Sequence, residues 1–166
     1  MKDISIYTAG LCEASSGKGS FGVVVQFNDR QKELSAAYQL TTKNRMEIQA
    51  AIEGLQALTE PCAVTLYSGS QYLVDVMSKG WAAKWENNGW RKTDSKEIME
   101  PDVMEVMLSL ARMHKIEFVW MKEQAWHPTI ERCKELGREA IDTQPLWVDG
   151  VYETKVYSTA GRAARG

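Results

Sequence analysis

Cysteine is scarce in this 166-residue chain, limited to Cys12, Cys62 and Cys133. An odd number at such wide spacings excludes a disulfide framework and the C-x-x-C pairs of a zinc site, so the three read as reduced core residues. Long apolar runs are missing too. None approaches the roughly eighteen residues that a membrane span requires, and Met1-Lys2-Asp3-Ile4 lacks the apolar block of a signal peptide. The expectation is a cytoplasmic protein with no membrane partner. Charge of one sign is also lacking: the formal net charge of −2 gives no overall basic field, so any grip on nucleic acid must come from a local patch. What is present is a hydrophobic content of 44 %, enough for one globular domain with a full core.

Two periodicities divide the chain. Ile4 to Thr8 alternates as a strand, and Phe21-Gly22-Val23-Val24-Val25-Gln26-Phe27 is a β-branched run after the turn Ser15-Ser16-Gly17-Lys18-Gly19-Ser20. Lys32 to Tyr38 completes a meander. From Asn44 the period becomes helical through Ile48, Ala51, Ile52, Leu55 and Leu58, ending at Pro61. Cys62 to Ser68 returns as a strand, placed by a right-handed crossover parallel to the first. Helices are expected at Ser70 to Met77, Trp81 to Asn87 and Asp102 to Met113, with a fifth strand at Lys115 to Trp120 and a last helix from Pro128. The reading is a mixed α/β sheet forming one domain over residues 1–157, followed by a flexible tail over 158–166 whose two arginines are an alternative phosphate contact.

Several stretches carry a resemblance: Ile6-Tyr7-Thr8-Ala9-Gly10, Thr41-Thr42-Lys43-Asn44-Arg45-Met46-Glu47, Tyr67-Ser68-Gly69-Ser70-Gln71-Tyr72, Trp81, Trp85, Gly89-Trp90, and His127-Pro128 with Glu131-Arg132-Cys133. With the order of elements, they resemble bacterial ribonuclease HI over nearly the whole chain. The resemblance implies an RNase H-like five-stranded sheet, three antiparallel strands then parallel crossovers, with helices on both faces. It also implies cleavage of the RNA strand of RNA/DNA hybrids by four carboxylates holding two magnesium ions, assisted by a loop histidine. Such a pair of cations activates water and neutralises the leaving oxygen, and oxygen ligands must offset its charge.

Carried onto this chain, the ligand positions read Ala9, Glu47, Gly69 and Lys134, and the loop histidine falls at Gln124. Only Glu47 keeps its carboxylate, and the ammonium of Lys134 would repel a cation. Lys134 is expected either to pair with Glu47 or to snorkel to solvent. The sequence therefore predicts a catalytically inactive homologue, a pseudoenzyme without a metal cofactor, that still binds RNA/DNA hybrid or structured RNA. The residues implied for binding are Thr42, Asn44 and Gln71, with Trp81, Lys84, Trp85, Arg91 and Lys92 from the segment that matches the family's basic handle. Against this stand plainer roles: Thr42 and Asn44 as caps of the following helix, and the tryptophans as packing. The handle, residues 79–102, carries as many acids as bases, which favours the alternative of a protein-interaction module. A third reading is a working nuclease with a rebuilt metal site, in which Glu123 is the best-placed substitute among Glu13, Asp75, Glu123, Glu131 and Glu135. His127 matches a structural position.

Overall fold

The alternation read in the first strand is the device that gives the fold two faces. In the computed structural model, which describes residues 1–91, 99–122 and 125–165 with side chains to residue 158, β1 (Lys2–Cys12) sends Ile4 and Ile6 to one side and Tyr7 and Ala9 to the other. β2 (Gly19–Phe27) and β3 (Arg30–Tyr38) follow as an antiparallel meander, with Thr8 opposite Val23 and Ala9 opposite Gly22. After helix α1 (Lys43–Gln56), β4 (Cys62–Ser68) lies parallel to β1, and Thr8 Oγ1 donates to Tyr67 O at 2.7 Å across the pair. The chain continues through α2 (Gln71–Ser78), α3 (Trp81–Asn87) and α4 (Pro101–Ala111) to β5 (Lys115–Trp120), parallel to β4. It ends with α5 (Pro128–Thr143), β6 (Leu146–Trp147) and α6 (Gly150–Arg165).

The sheet order is β5-β4-β1-β2-β3-β6. The larger core lies between the sheet and α1 with α4, around Ile6, Val23, Ile48, Leu66 and Met104, all fully buried. A smaller cluster on the other face packs Tyr7, Ala9 and Val24 against Ile130, Cys133 and Leu136 of α5. Helices on both faces of a mixed sheet agree with the sequence reading. The five-stranded count does not: β6 pairs parallel with Ala37 and Tyr38 as a sixth strand. A dipeptide strand after Pro145 has no period to read, and its pairing partner lies more than a hundred residues earlier. The stretch 158–165, expected as a loose tail, continues the backbone of α6. Asp149 starts that helix, its backbone oxygen accepting from Glu153 N at 2.8 Å and its carboxylate from Tyr152 N at 3.3 Å. No helix among the described residues is long and apolar enough to cross a membrane.

Two glycines set how closely the helices approach the sheet. A Cβ at Gly22 would stand 1.9 Å from Cys133 O, so α5 rests directly on the β2 backbone. A Cβ at Gly10 would meet Glu47 N at 2.4 Å, so α1 is drawn against the end of β1. That second approach positions the side chain at the centre of the candidate site.

Candidate functional site

Parallel strands β1 and β4 deliver Ala9 and Gly69 side by side, with α1 bringing Glu47 and α5 bringing Lys134 to the same cavity of about 340 Å3. The structure thus brings together four of the five positions singled out for chemistry. Gln124 and Glu123 lie outside the described residues.

Glu47 is 6 % exposed. Burial pushes its carboxyl up to about 7, against the opposing pull of the Gly10 and Gly69 backbone N–H donors and the Lys43 and Lys134 charges. Its Oε2 has no hydrogen-bond partner among the described residues. Lys134 does not take that oxygen. Its Nζ donates to Glu131 Oε1 at 3.1 Å, one turn back on α5. Neither the expected pair with Glu47 nor a lysine extended freely to solvent is therefore found, because Glu131 offers an acceptor on the same helix face at the i,i+3 distance. Ala9 is buried in the smaller apolar cluster.

His127 caps α5: its Nδ1 accepts from Thr129 N at 3.2 Å, and its ring stacks on Tyr7 at 5.0 Å. This is the structural role expected for it. Thr42 caps α1, accepting from Arg45 N at 3.2 Å. Asn44 is not a cap. Its Oδ1 accepts from Ser70 Oγ at 3.0 Å, and Ser70 Oγ in turn accepts from Leu73 N at 3.1 Å as the cap of α2. The starts of α1 and α2 are thereby joined, and exposed Gln71 sits beside them as the first residue of α2. Asn44 Nδ2 is buried without a partner among the described residues.

In the handle, Trp85 and Trp90 pack on the main core, while Trp81 is 37 % exposed with Lys79 Nζ 5.0 Å from its ring centre. Lys84 and Arg91 are exposed, and Lys92 lies outside the described residues. Three of the five acids counted as balancing this segment are drawn to arginines outside it, while Asp94 and Glu97 lie outside the described residues. Glu86 pairs with Arg112 at 2.7 Å, and Glu100 and Asp102 pair with Arg45.

Arg45 is the residue that sequence reasoning missed. Its side chain is 6 % exposed and meets Glu100, Asp102 at 2.7 Å and Asp149 at 2.7 Å. Burial alone would lower its pKa, but the hydrogen bonds it donates to Asp102, Asp149 and Glu100 outweigh it and hold the guanidinium above its ordinary value. This cluster ties the starts of α1, α4 and α6 together. No local pattern announces it, because its partners lie about 55 and 104 residues away.

The RNase H family model matches residues 1–142. A ribonuclease H of Rippkaea orientalis is 46 % identical over 158 residues, covering 95 % of this chain and 97 % of that protein. A ribonuclease HI of Synechocystis sp. is 44 % identical over 147 residues, covering 88 % and 92 %. Among solved structures, LC9-RNase H1, a type 1 RNase H with the type 2 active-site motif, superposes with a TM-score of 0.76 at 23 % identity, covering 99 % of this chain and 85 % of that one. LC11-RNase H1 in complex with RNA/DNA hybrid gives 0.59 at 24 % identity, covering 84 % and 96 %.

These relatives correct two expectations. The prediction of a non-enzyme is overturned by curated relatives of nearly full length that bear the name of an enzyme. The prediction of no cofactor falls with it, since the family implies a metal. Three substituted positions were too local a basis for either conclusion. Among the described residues, the cavity lining offers one carboxylate, Glu47, beside Lys43, Lys122, Lys134 and Arg138. No group of three or more His, Cys, Asp or Glu side chains suited to a metal ion occurs among the described residues. Those residues do not fit a pair of divalent cations, whose charge needs several oxygen ligands.

Proposed function

We propose, from the premise that this chain belongs to the ribonuclease H family, that it binds RNA/DNA hybrids along the face where α1 and α2 begin and where the Glu47 cavity opens. The observation that carries this reading is the joined start of those two helices, where Asn44 and Ser70 lock together beside Thr42 and Gln71. Two N-terminal turns held at a fixed offset present backbone N–H groups and short polar side chains, which suit a phosphodiester strand. Exposed Lys84 and Arg91, with Trp81, extend the contact into the handle. A structural neighbour was solved with RNA/DNA hybrid, which supports the same substrate class. The unit that binds is a single domain over residues 1–157.

The competing use of the handle tryptophans as a protein-docking surface loses support, because Trp85 and Trp90 are spent on the core.

Fluorescence anisotropy with labelled RNA/DNA hybrid, double-stranded RNA and double-stranded DNA of one sequence, in a salt series, tests the reading. Hybrid should bind in preference to double-stranded DNA, and Asn44→Ala with Gln71→Ala should weaken it. Equal affinity for all three duplexes, or none at low salt, would overturn it. Cleavage of the RNA strand is followed in the same samples with magnesium and manganese, because the relatives bear the name of an enzyme.

A further inference from the structure

Among the described residues, the charges that face the Glu47 cavity are of the wrong sign for a cation and the right sign for a phosphate. Lys134 and Arg138 stand four residues apart on α5, hence on one helix face. Lys43 comes from the start of α1, and Lys122 follows β5, its Nζ 5.6 Å from the Trp120 ring centre. Lys43, Lys122 and Arg138 are exposed and Lys134 is half-buried, whereas Glu47, the one lining carboxylate among the described residues, is withdrawn. Of these cations, Lys134 already has a carboxylate partner in Glu131, and Arg138 makes no hydrogen bond or ion pair with the described residues. Cations gathered around a concave space raise the local potential and attract an anion.

We propose that this cavity holds a phosphate group of a nucleic-acid strand directly, on the fixed charges of Lys134 and Arg138 with Lys43 and Lys122 beside them, and that this grip does not depend on a divalent cation. The proposal rests on the hybrid-binding reading for its choice of strand, and it deepens that reading by naming what takes the phosphate. Phosphates of a bound strand release condensed counterions when lysine or arginine neutralises them, so each such contact leaves a measurable salt dependence.

The test measures hybrid binding by anisotropy in EDTA and in magnesium at matched ionic strength, for the wild type, for the Lys134→Ala/Arg138→Ala double variant and for Lys32→Ala as a surface control. Wild-type affinity should agree within about twofold between EDTA and magnesium, and the double variant should bind about tenfold more weakly with a salt slope lower by about 1 to 2. Lys32→Ala should match the wild type. Equal affinity and slope in the double variant, or binding that disappears in EDTA, would overturn the proposal. In parallel, inorganic phosphate is titrated while the Gly10 and Gly69 amide resonances are followed. Saturable shifts that vanish in the double variant support the site, and their absence in the wild type overturns it. If phosphate binds while hybrid never does, the hybrid reading fails and the phosphate site stands.

Discussion

Gly69 stands so close to Glu47 that a Cβ built on it would lie 3.0 Å from Glu47 Oε1. A side chain introduced at Gly69 must therefore share space with a buried carboxylate. Gly69→Asp brings a second negative charge against the first, which favours protonating one of the two. The variant should lose roughly 1–3 kcal/mol of stability in EDTA at pH 8, and magnesium should return part of it. Thermal melts with and without magnesium check this, and a variant as stable as the parent in EDTA would show that the Gly69 backbone shifts to relieve the crowding.

Glu47 itself gives a pH signature. Its carboxyl is raised by burial to about 7 from an ordinary 4.5. The folded protein thus holds the proton more tightly than the unfolded chain does. The associated stability is fully present below about pH 4.5 and is lost as pH rises through about 7. Glu47→Gln removes the ionisation, so it should be more stable than the parent at pH 8, by up to about 3 kcal/mol, with the difference closing towards pH 5. Urea unfolding at both pH values measures it, and a gap that does not change with pH would refute the assignment.

Arg45 should be among the costliest single positions to alter. Arg45→Met leaves Glu100, Asp102 and Asp149 facing one another without their cation, and uncompensated buried charge typically costs about 3–5 kcal/mol. The same variant should change the acid limb. Burial raises the Asp102 pKa, but the Arg45 hydrogen bond and charge overcome it and leave the carboxyl below its usual 3.8. A depressed carboxylate contributes stability above its unfolded pKa and loses it as pH falls through the folded one, so the parent should weaken below about pH 4. In Arg45→Met that contribution disappears, and acid titrations followed by circular dichroism should show a flatter limb.

Gly22→Ala tests the close approach of α5. The added methyl would fall 1.9 Å from Cys133 O and 3.0 Å from Leu136 Cβ. Since backbone cannot move aside as a flexible side chain does, α5 must lift from the sheet, at a cost of about 1–3 kcal/mol or more. Calorimetry of the variant measures that cost, and an unchanged midpoint would mean that α5 has slack against β2.

Most of the elements could be read in advance because their signals are local. α3 at Trp81–Asn87, β4 at Cys62–Ser68 and β5 at Lys115–Trp120 carry their own periods or boundaries, and Pro128 marks the first turn of α5. β6 escaped because two residues have no period, and α6 because Gly161 and its small neighbours resemble a loose end. The convergence of Ala9, Glu47, Gly69 and Lys134 was legible through the family motifs. Their charges were not enough to decide activity or cofactor, which the nearly full-length relatives corrected.

By itself, the sequence determined the alternation of strand and helix, the two apolar faces of β1 and the family, since each is written in spacing between near neighbours. Only the tertiary structure decided which charges meet. It turned Lys134 to Glu131 rather than Glu47, drew Glu100 and Asp102 out of the handle onto Arg45, and left Glu47 buried with Oε2 unpartnered among the described residues. Charge pairing depends on distances of a few ångströms between residues far apart in the chain, and those distances exist only once the helices have packed on the sheet.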